Sequence, residues 1–361
     1  MEDKEAALIL SQDITIGART IAKMRSLGGL GQIINWSQNK IEKIGIKSDI
    51  AKLIVESKYI YKTEKIINDL KKYSVSYLYI EDKEYPINLK ETYDPPAILY
   101  YKGDIKAFLR PMIAIVGSRK STKYGIEATE KIVKELAIVP VCIVSGLALG
   151  IDSIAHKAAL SNKITTIAVL GNGLDTIYPP SHYNLAREII ANNGLIISEF
   201  PINTPTYPAH FPMRNRIIAG LSRGVVIIEA ISSSGSLITA KAGLAYDREI
   251  FALPHSIFSP TGIGPNNLIK NGAIPIWSGY QILDELKIKY NLLDNNQFKL
   301  DNVEQKIVNL LYEKALIIDD IVNGLNLDIS LVTAKLVMLE MKGIVVNMGG
   351  RYSIKSQNAN C

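Results

Sequence analysis

Four short polar stretches hold the residues best suited to chemistry. They are Gly117-Ser118-Arg119, Ser145-Gly146 running on to Gly150-Ile151-Asp152, Gly171-Asn172-Gly173, and Ser234-Gly235-Ser236-Leu237-Ile238-Thr239. Glycine lets a backbone approach a phosphate closely, and serine and threonine hydroxyls donate to its oxygens. Arg214-Asn215-Arg216 adds two guanidinium forks to that of Arg119, a geometry that matches phosphate. One such loop says little, because tight turns use glycine for geometry alone. All four with three arginines suit several phosphates better than one. The candidate anion-binding set is Gly117, Ser118, Arg119, Ser145, Gly146, Gly150, Asn172, Gly173, Arg214, Asn215, Arg216, Ser234, Gly235, Ser236, Thr239 and Lys241.

Other chemistries find less support. Asp152 and His156 stand four apart on an expected helix and can pair as base and orienter, or serve the fold. No activated serine or cysteine completes a triad with them, so no catalytic residue is assigned. His182, His210 and His255 lack metal-ligand spacing, and Cys142 and Cys361 cannot build a disulfide framework or a four-cysteine zinc site. No metal and no cofactor is expected. The first loop lacks G-x-G-x-x-G, and Arg119 stands where a dinucleotide pyrophosphate needs room. Tyr178, Tyr183, Phe200, Tyr207, Phe211 and Phe258 fall near strand ends, where each is either a packing residue or a surface on which a base stacks.

The elements that must position these residues follow from periodicity. Six apolar runs, at 112–118, 141–146, 164–171, 194–200, 224–230 and 249–254, are continuous rather than alternating, as in parallel strands buried on both faces. Helical patterns such as 124–137 and 151–159 lie between them. The fold class is therefore α/β: a Rossmann-like, doubly wound parallel sheet with right-handed crossovers, whose ligands bind at the carboxyl ends of the strands. Residues 1–72 read as a small helical module, and 73–276 as the core with its lead-in, in which 75–80 is a strand. Residues 277–296 read as a linker. Residues 297–361 offer three helices and a hairpin turning at Gly349-Gly350, the winged-helix pattern.

The chain of 361 residues carries +6, and a net +5 of it lies in residues 110–276, where an anionic partner is best sought. Residues 297–361 have zero net charge, and their third helix offers only Lys335 and Lys342 beside Glu340. That favours a protein contact over duplex DNA for the tail. The longest apolar stretch, Ile138 to Ile151, is too short to span a bilayer, and the acidic start MEDKEAALIL is unlike a signal peptide. A cytoplasmic protein with no membrane partner is expected.

AIVGSRKSTKYG (114–125), VSGLALGIDSIAHKAAL (144–160), AVLGNGLDTIYPPSH (168–182), SEFP (198–201), PMRNRIIAGLS (212–222), ISSSGSLITAKAG (231–243) and GPNNLIKNGA (264–273) together resemble the DNA-processing protein A family, DprA or Smf. The lead-in at 79–104 is similar as well. The resemblance implies a single-stranded DNA-binding recombination mediator, not an enzyme, that loads RecA during natural transformation or repair and works as a homodimer. It also implies that Arg119 meets phosphate and that the four loops, with Arg214 and Arg216, line a basic pocket. The chain departs from the family at Pro180, where a basic residue is common, at Asp247-Arg248 for Gly-Arg, and at Pro254-His255 for Pro-Gly. The rival class is a nucleotide-cleaving enzyme of the phosphoribohydrolase type. Residues 231–239 lack the Pro-Gly-Gly turn and the glutamate that such enzymes carry, and Glu229 reads as buried and structural.

Overall fold

The computed structural model describes residues 1–290, 300–341 and 344–354, in two compact units, Met1–Leu286 and Lys287–Cys361. The first is built on a nine-stranded sheet: β1 (Ser76–Tyr79), β2 (Ile98–Gly103), β3 (Met112–Val116), β4 (Cys142–Ser145), β5 (Thr165–Val169), β6 (Leu195–Ser198), β7 (Gly224–Ile227), β8 (Glu249–Ala252) and β9 (Ile274–Pro275). Their order across the sheet is β1-β2-β6-β5-β4-β3-β7-β8-β9. From β6 to β9 all neighbours are parallel, whereas β2 joins β6 and β1 in antiparallel register. The chain winds outward from β3 to β6 and then returns to place β7 against the other side of β3. The topological switch point therefore lies between β3 and β7.

Burial explains the continuous apolar text. Every residue of β3, β4, β5, β6 and β7 is buried, so no position along these strands can be polar without a partner. The connecting helices follow the expected stripes. Lys123–Leu136 buries Gly125, Thr129, Ile132, Val133 and Leu136, one face at helical spacing, and Thr122 caps it by accepting the Gly125 N–H at 3.2 Å.

Three elements differ from the sequence reading. The strand β2 was missed because its Ile98-Leu99-Tyr100-Tyr101 follows Pro95-Pro96, which reads as turn. The six helices between Asp3 and Lys72 share the core of the first unit: Ser11 and Gln12 both hydrogen-bond the Tyr100 hydroxyl on β2, at 2.8 and 2.9 Å. The expected linker begins as a helix, Gly279–Glu285, because Ile282 and Leu283 are fully buried and the Gly279 N–H donates to Glu135 at 2.7 Å. Residues 291–296 of that linker lie outside the described residues.

The second unit has helices at Asn302–Glu313, Ile318–Leu325 and Ile329–Met341 with a sheet of β10 (Leu316–Ile317), β11 (Val345–Met348) and β12 (Arg351–Ile354) in the order β10-β12-β11. Gly349 and Gly350 take φ of +62° and +87°, as a tight hairpin requires. It is a winged helix with its own core around Ile307, Ile321, Val332 and Leu336. On the third helix Lys335 is ion-paired with Asp301, whereas Val337, Met338 and Met341 are exposed. Lys342 and Cys361 lie outside the described residues. Among the described residues no single helix is long and apolar enough to cross a membrane.

Candidate nucleic-acid interface

The loop after β3 leaves the sheet at the switch point. The Ser118 hydroxyl shapes it locally, donating to the Lys120 carbonyl at 2.9 Å and accepting the Lys120 N–H at 3.1 Å. The Ser118 carbonyl takes the Ile151 N–H at 3.1 Å, which ties this loop to the one after β4. Gly150 makes that contact possible. It sits at φ +76°, and a Cβ there would lie 2.2 Å from the Ser118 carbonyl oxygen.

Arg119 and Lys120 project from this hydrogen-bonded turn, both exposed. The Arg119 guanidinium lies 5.0 Å from the centre of the Phe211 ring, and Phe211 is 5.9 Å from Tyr178, tilted by 40°. Among the described residues Arg119 has no carboxylate partner. A cation over one aromatic ring that itself abuts a second can offer both charge and a stacking surface. The loop after β7 borders the same switch point. There Ser234 and Ser236 share a hydroxyl hydrogen bond of 2.7 Å, Gly235 is exposed, and Lys241 is exposed in the second turn of helix Ser236–Ala245.

The other expected anion-binding residues face inward. Ser145 donates to the Ile115 carbonyl at 2.7 Å. Asn172 donates to the carbonyls of Gly173 and Thr176 at 2.9 and 3.0 Å, and the Gly173 N–H is taken by Thr204. Asn215 reaches the Gly235 carbonyl at 3.1 Å, and Thr239 is buried with a hydroxyl lacking a partner. Gly117 packs its Cα against Ile151, and Gly146 lies against the Arg214 guanidinium.

Arg214 is buried, and Arg216 is partly buried with its guanidinium turned onto carboxylates rather than presented to solvent. Arg214 donates to the carbonyls of Gly146, at 2.6 Å, and Val169, crossing the ends of β4 and β5. Burial pulls its pKa down to about 10, against the attraction of Asp152. Asp152 in turn accepts the Gly146 N–H at 3.1 Å, and burial raises its pKa despite Arg214. Arg216 pairs with Glu199 and, at 3.8 Å, with Asp94, and donates to the Asp94 carbonyl at 2.6 Å. These carboxylates raise its pKa in spite of burial. The signal for Arg214 was in the sequence: His210, Arg214, Ile217, Ile218 and Leu221 form one helical stripe, and all are buried.

Asp152 and His156 do not pair. The His156 Nδ1 meets the Thr166 hydroxyl at 2.7 Å, and burial lowers its pKa to about 3, so the ring is neutral. Cys142 is buried, which pushes its thiol up. Phe200 is a core residue stacked 4.4 Å from His210. Sequence reasoning did not single out Lys120, whose signal was simply adjacency to Arg119.

A doubly wound sheet with an exposed arginine at its switch point, followed in the chain by a winged helix, defines a protein of the Rossmann-like class. Comparison with known proteins narrows the class. Residues 76–287 match the family model of the DNA recombination-mediator protein A, and 294–351 match the DprA winged helix domain. The chain belongs to this DNA-processing family, DprA or Smf. It is 39% identical over 277 residues to Protein Smf of Escherichia coli, covering 74% of each chain. It is also 39% identical over 251 residues to DNA processing protein DprA of Bacillus subtilis, covering 69% of this chain and 82% of that one. The crystal structure of DprA from Streptococcus pneumoniae superposes with a TM-score of 0.63 at 35% identity, over 75% of this chain and 98% of that one. DNA processing protein A from Helicobacter pylori, described for its single-stranded DNA binding mode, gives 0.54 at 35%, over 60% and 97%.

Proposed function

We propose that this protein is a non-catalytic, single-stranded DNA-binding recombination mediator that shields incoming or exposed single strands and loads RecA. In this reading it acts in the cytoplasm as a homodimer, serving natural transformation or repair. The observation that carries the reading is Arg119, exposed and unpaired over Phe211 at the switch point. Arg119 and Lys120 engage successive phosphates, Phe211 and Tyr178 stack bases, and Ser234, Gly235 and Lys241 extend the track along the β7 edge. Ser118 and Gly150 set the turn. Arg214 and Arg216 serve the site from within, by holding the strand ends and the helix from which Phe211 projects.

The absence of catalysis rests on Glu229, the carboxylate that precedes the β7 loop in the chain. It is fully buried, and its oxygens already accept hydrogen bonds from Thr122 and Thr261. A titration separates the classes. An oligodeoxynucleotide should bind far better than its duplex or any mononucleotide, because only a strand engages several loops together, and affinity should fall steeply between two salt concentrations. Release of free base from nucleoside monophosphates, abolished by changing Glu229 or Asp152, would make the protein an enzyme instead.

A further inference from the structure

Glu229 lies two residues beyond the end of β7, between the two loops of the switch point. It is 0% exposed. Its carboxylate accepts the Thr122 N–H at 3.0 Å and the Thr122 hydroxyl, both from the loop that carries Arg119 and Lys120. It also accepts the Thr261 hydroxyl at 3.2 Å, from the segment that follows β8. The Thr122 oxygen then receives the Gly125 N–H at 3.2 Å, so the first turn of helix Lys123–Leu136 hangs on the same carboxylate. Gly125 itself leaves the room: a Cβ there would lie 2.5 Å from the Glu229 carboxyl carbon. On the other side Ala230 is stitched at both backbone groups, its N–H to the Thr261 carbonyl and its carbonyl to the Gly264 N–H, each at 2.8 Å. The loop 231–235 starts from there.

A buried carboxylate held by hydroxyl and amide donors is costly unless every donor is in place. That cost makes the arrangement specific, because the anion is stable only when the Arg119 loop is closed onto it and the dipole of the following helix points at it. We infer that Glu229 is the positioning residue of the nucleic-acid edge, fixing the Arg119-Lys120 turn against the start of the β7 loop. It touches no phosphate; it acts through Thr122. The inference rests on the reading that Arg119 meets phosphate, and it predicts something that reading does not: loss of Glu229 should resemble loss of Arg119.

The test uses full-length Glu229→Ala, Glu229→Gln, Arg119→Ala and the double variant Glu229→Ala/Arg119→Ala, with near-UV circular dichroism checking each fold. Binding to fluorescein-labelled oligodeoxythymidine is followed by anisotropy, and hydrogen exchange is followed over residues 117–125. Glu229→Ala should weaken binding by about tenfold or more, the value of a hydrogen bond to a charged group. It should speed exchange at 117–125 but not in β3 to β5, and should add less than about twofold to the loss caused by Arg119→Ala. Glu229→Gln should stay within a few-fold of wild type, because its amide oxygen accepts the Thr122 N–H and the two threonine hydroxyls can turn to accept its NH2. Should Glu229→Ala not fold, Thr122→Val removes the hydroxyl link and the Gly125 cap but keeps the Thr122 N–H bond to Glu229, and should reproduce the local exchange and a smaller loss of binding. A folded Glu229→Ala with unchanged affinity and exchange overturns the inference, as does a loss that multiplies fully with that of Arg119→Ala. If Arg119→Ala proves silent while Glu229→Ala still frees the 117–125 segment, the positioning link stands and the phosphate reading fails.

Discussion

Arg119 and Arg214 stand at adjoining strand ends, near enough that the charge of Arg119 helps to depress the pKa of Arg214, and they have opposite fates. Arg119 ends in solvent over an aromatic ring. Arg214 is buried, with its fork closed on two backbone carbonyls and its charge set against Asp152. The switch-point edge at β3 and β7 thus keeps its donors open, while the edge at β4 and β5 uses the same types of residue to close itself. Residue type sets what a group is able to do. Burial decides whether a ligand or the protein takes it up.

The largest effect that sharpens this contrast is on stability. Arg214→Met should cost about 3–5 kcal/mol, because it leaves Asp152 as an uncompensated buried charge and two carbonyls without donors. Urea denaturation measures it. A loss under 1 kcal/mol, accompanied by lost DNA binding, would turn Arg214 into a ligand-binding residue and break the comparison.

Arg119→Ala should do the reverse. Binding to single strands should weaken by roughly 1.5–3 kcal/mol with the denaturation midpoint unchanged. The slope of log affinity against log salt should become shallower by about 0.7, the value of one phosphate contact on a single strand. An unchanged slope in a folded variant removes Arg119 from the site.

The closed side also titrates. The pKa of His156 falls from 6.5 to about 3 on folding, chiefly through burial and then through the charge of Arg214. A depressed folded pKa means that its contribution is complete above pH 6.5 and is lost progressively as pH falls toward 3. Near pH 5 the loss should be on the order of 2 kcal/mol relative to pH 7. Denaturation midpoints at pH 7 and 5 for wild type and His156→Asn check this: the variant should lose the dependence, and a wild-type slope in the variant would assign it elsewhere.

Deletion of residues 297–361 should change single-strand affinity least. That segment adds no net charge, Lys335 is already paired with Asp301, and the exposed face of its third helix is apolar at Val337, Met338 and Met341. Loss by several orders of magnitude in a folded truncation would make the winged helix a DNA reader.

Much of the fold was legible in the text. The parallel strands announce themselves as unbroken apolar runs because both of their faces are covered, and the winged helix follows from three helical stretches and a Gly-Gly turn. The pieces that were not legible depend on partners far away in sequence. Ile98–Gly103 becomes a strand because β6 and β1 pair with it on either side, and Gly279–Glu285 becomes a helix because Ile282 and Leu283 find a core to enter.

For the candidate site the division is sharper. Sequence alone determined which loops leave the carboxyl ends of the strands and that glycines, serines and arginines stand on them. Only the tertiary structure decided which of those groups remain open. Ser145, Asn172, Arg214 and Arg216 lie where neighbouring chain ends leave carbonyls and carboxylates in need of donors, and a buried polar group must satisfy such needs before it can serve a ligand. Arg119 escaped that demand because Glu229, through Thr122, closes the backbone of its loop and leaves the side chain outside.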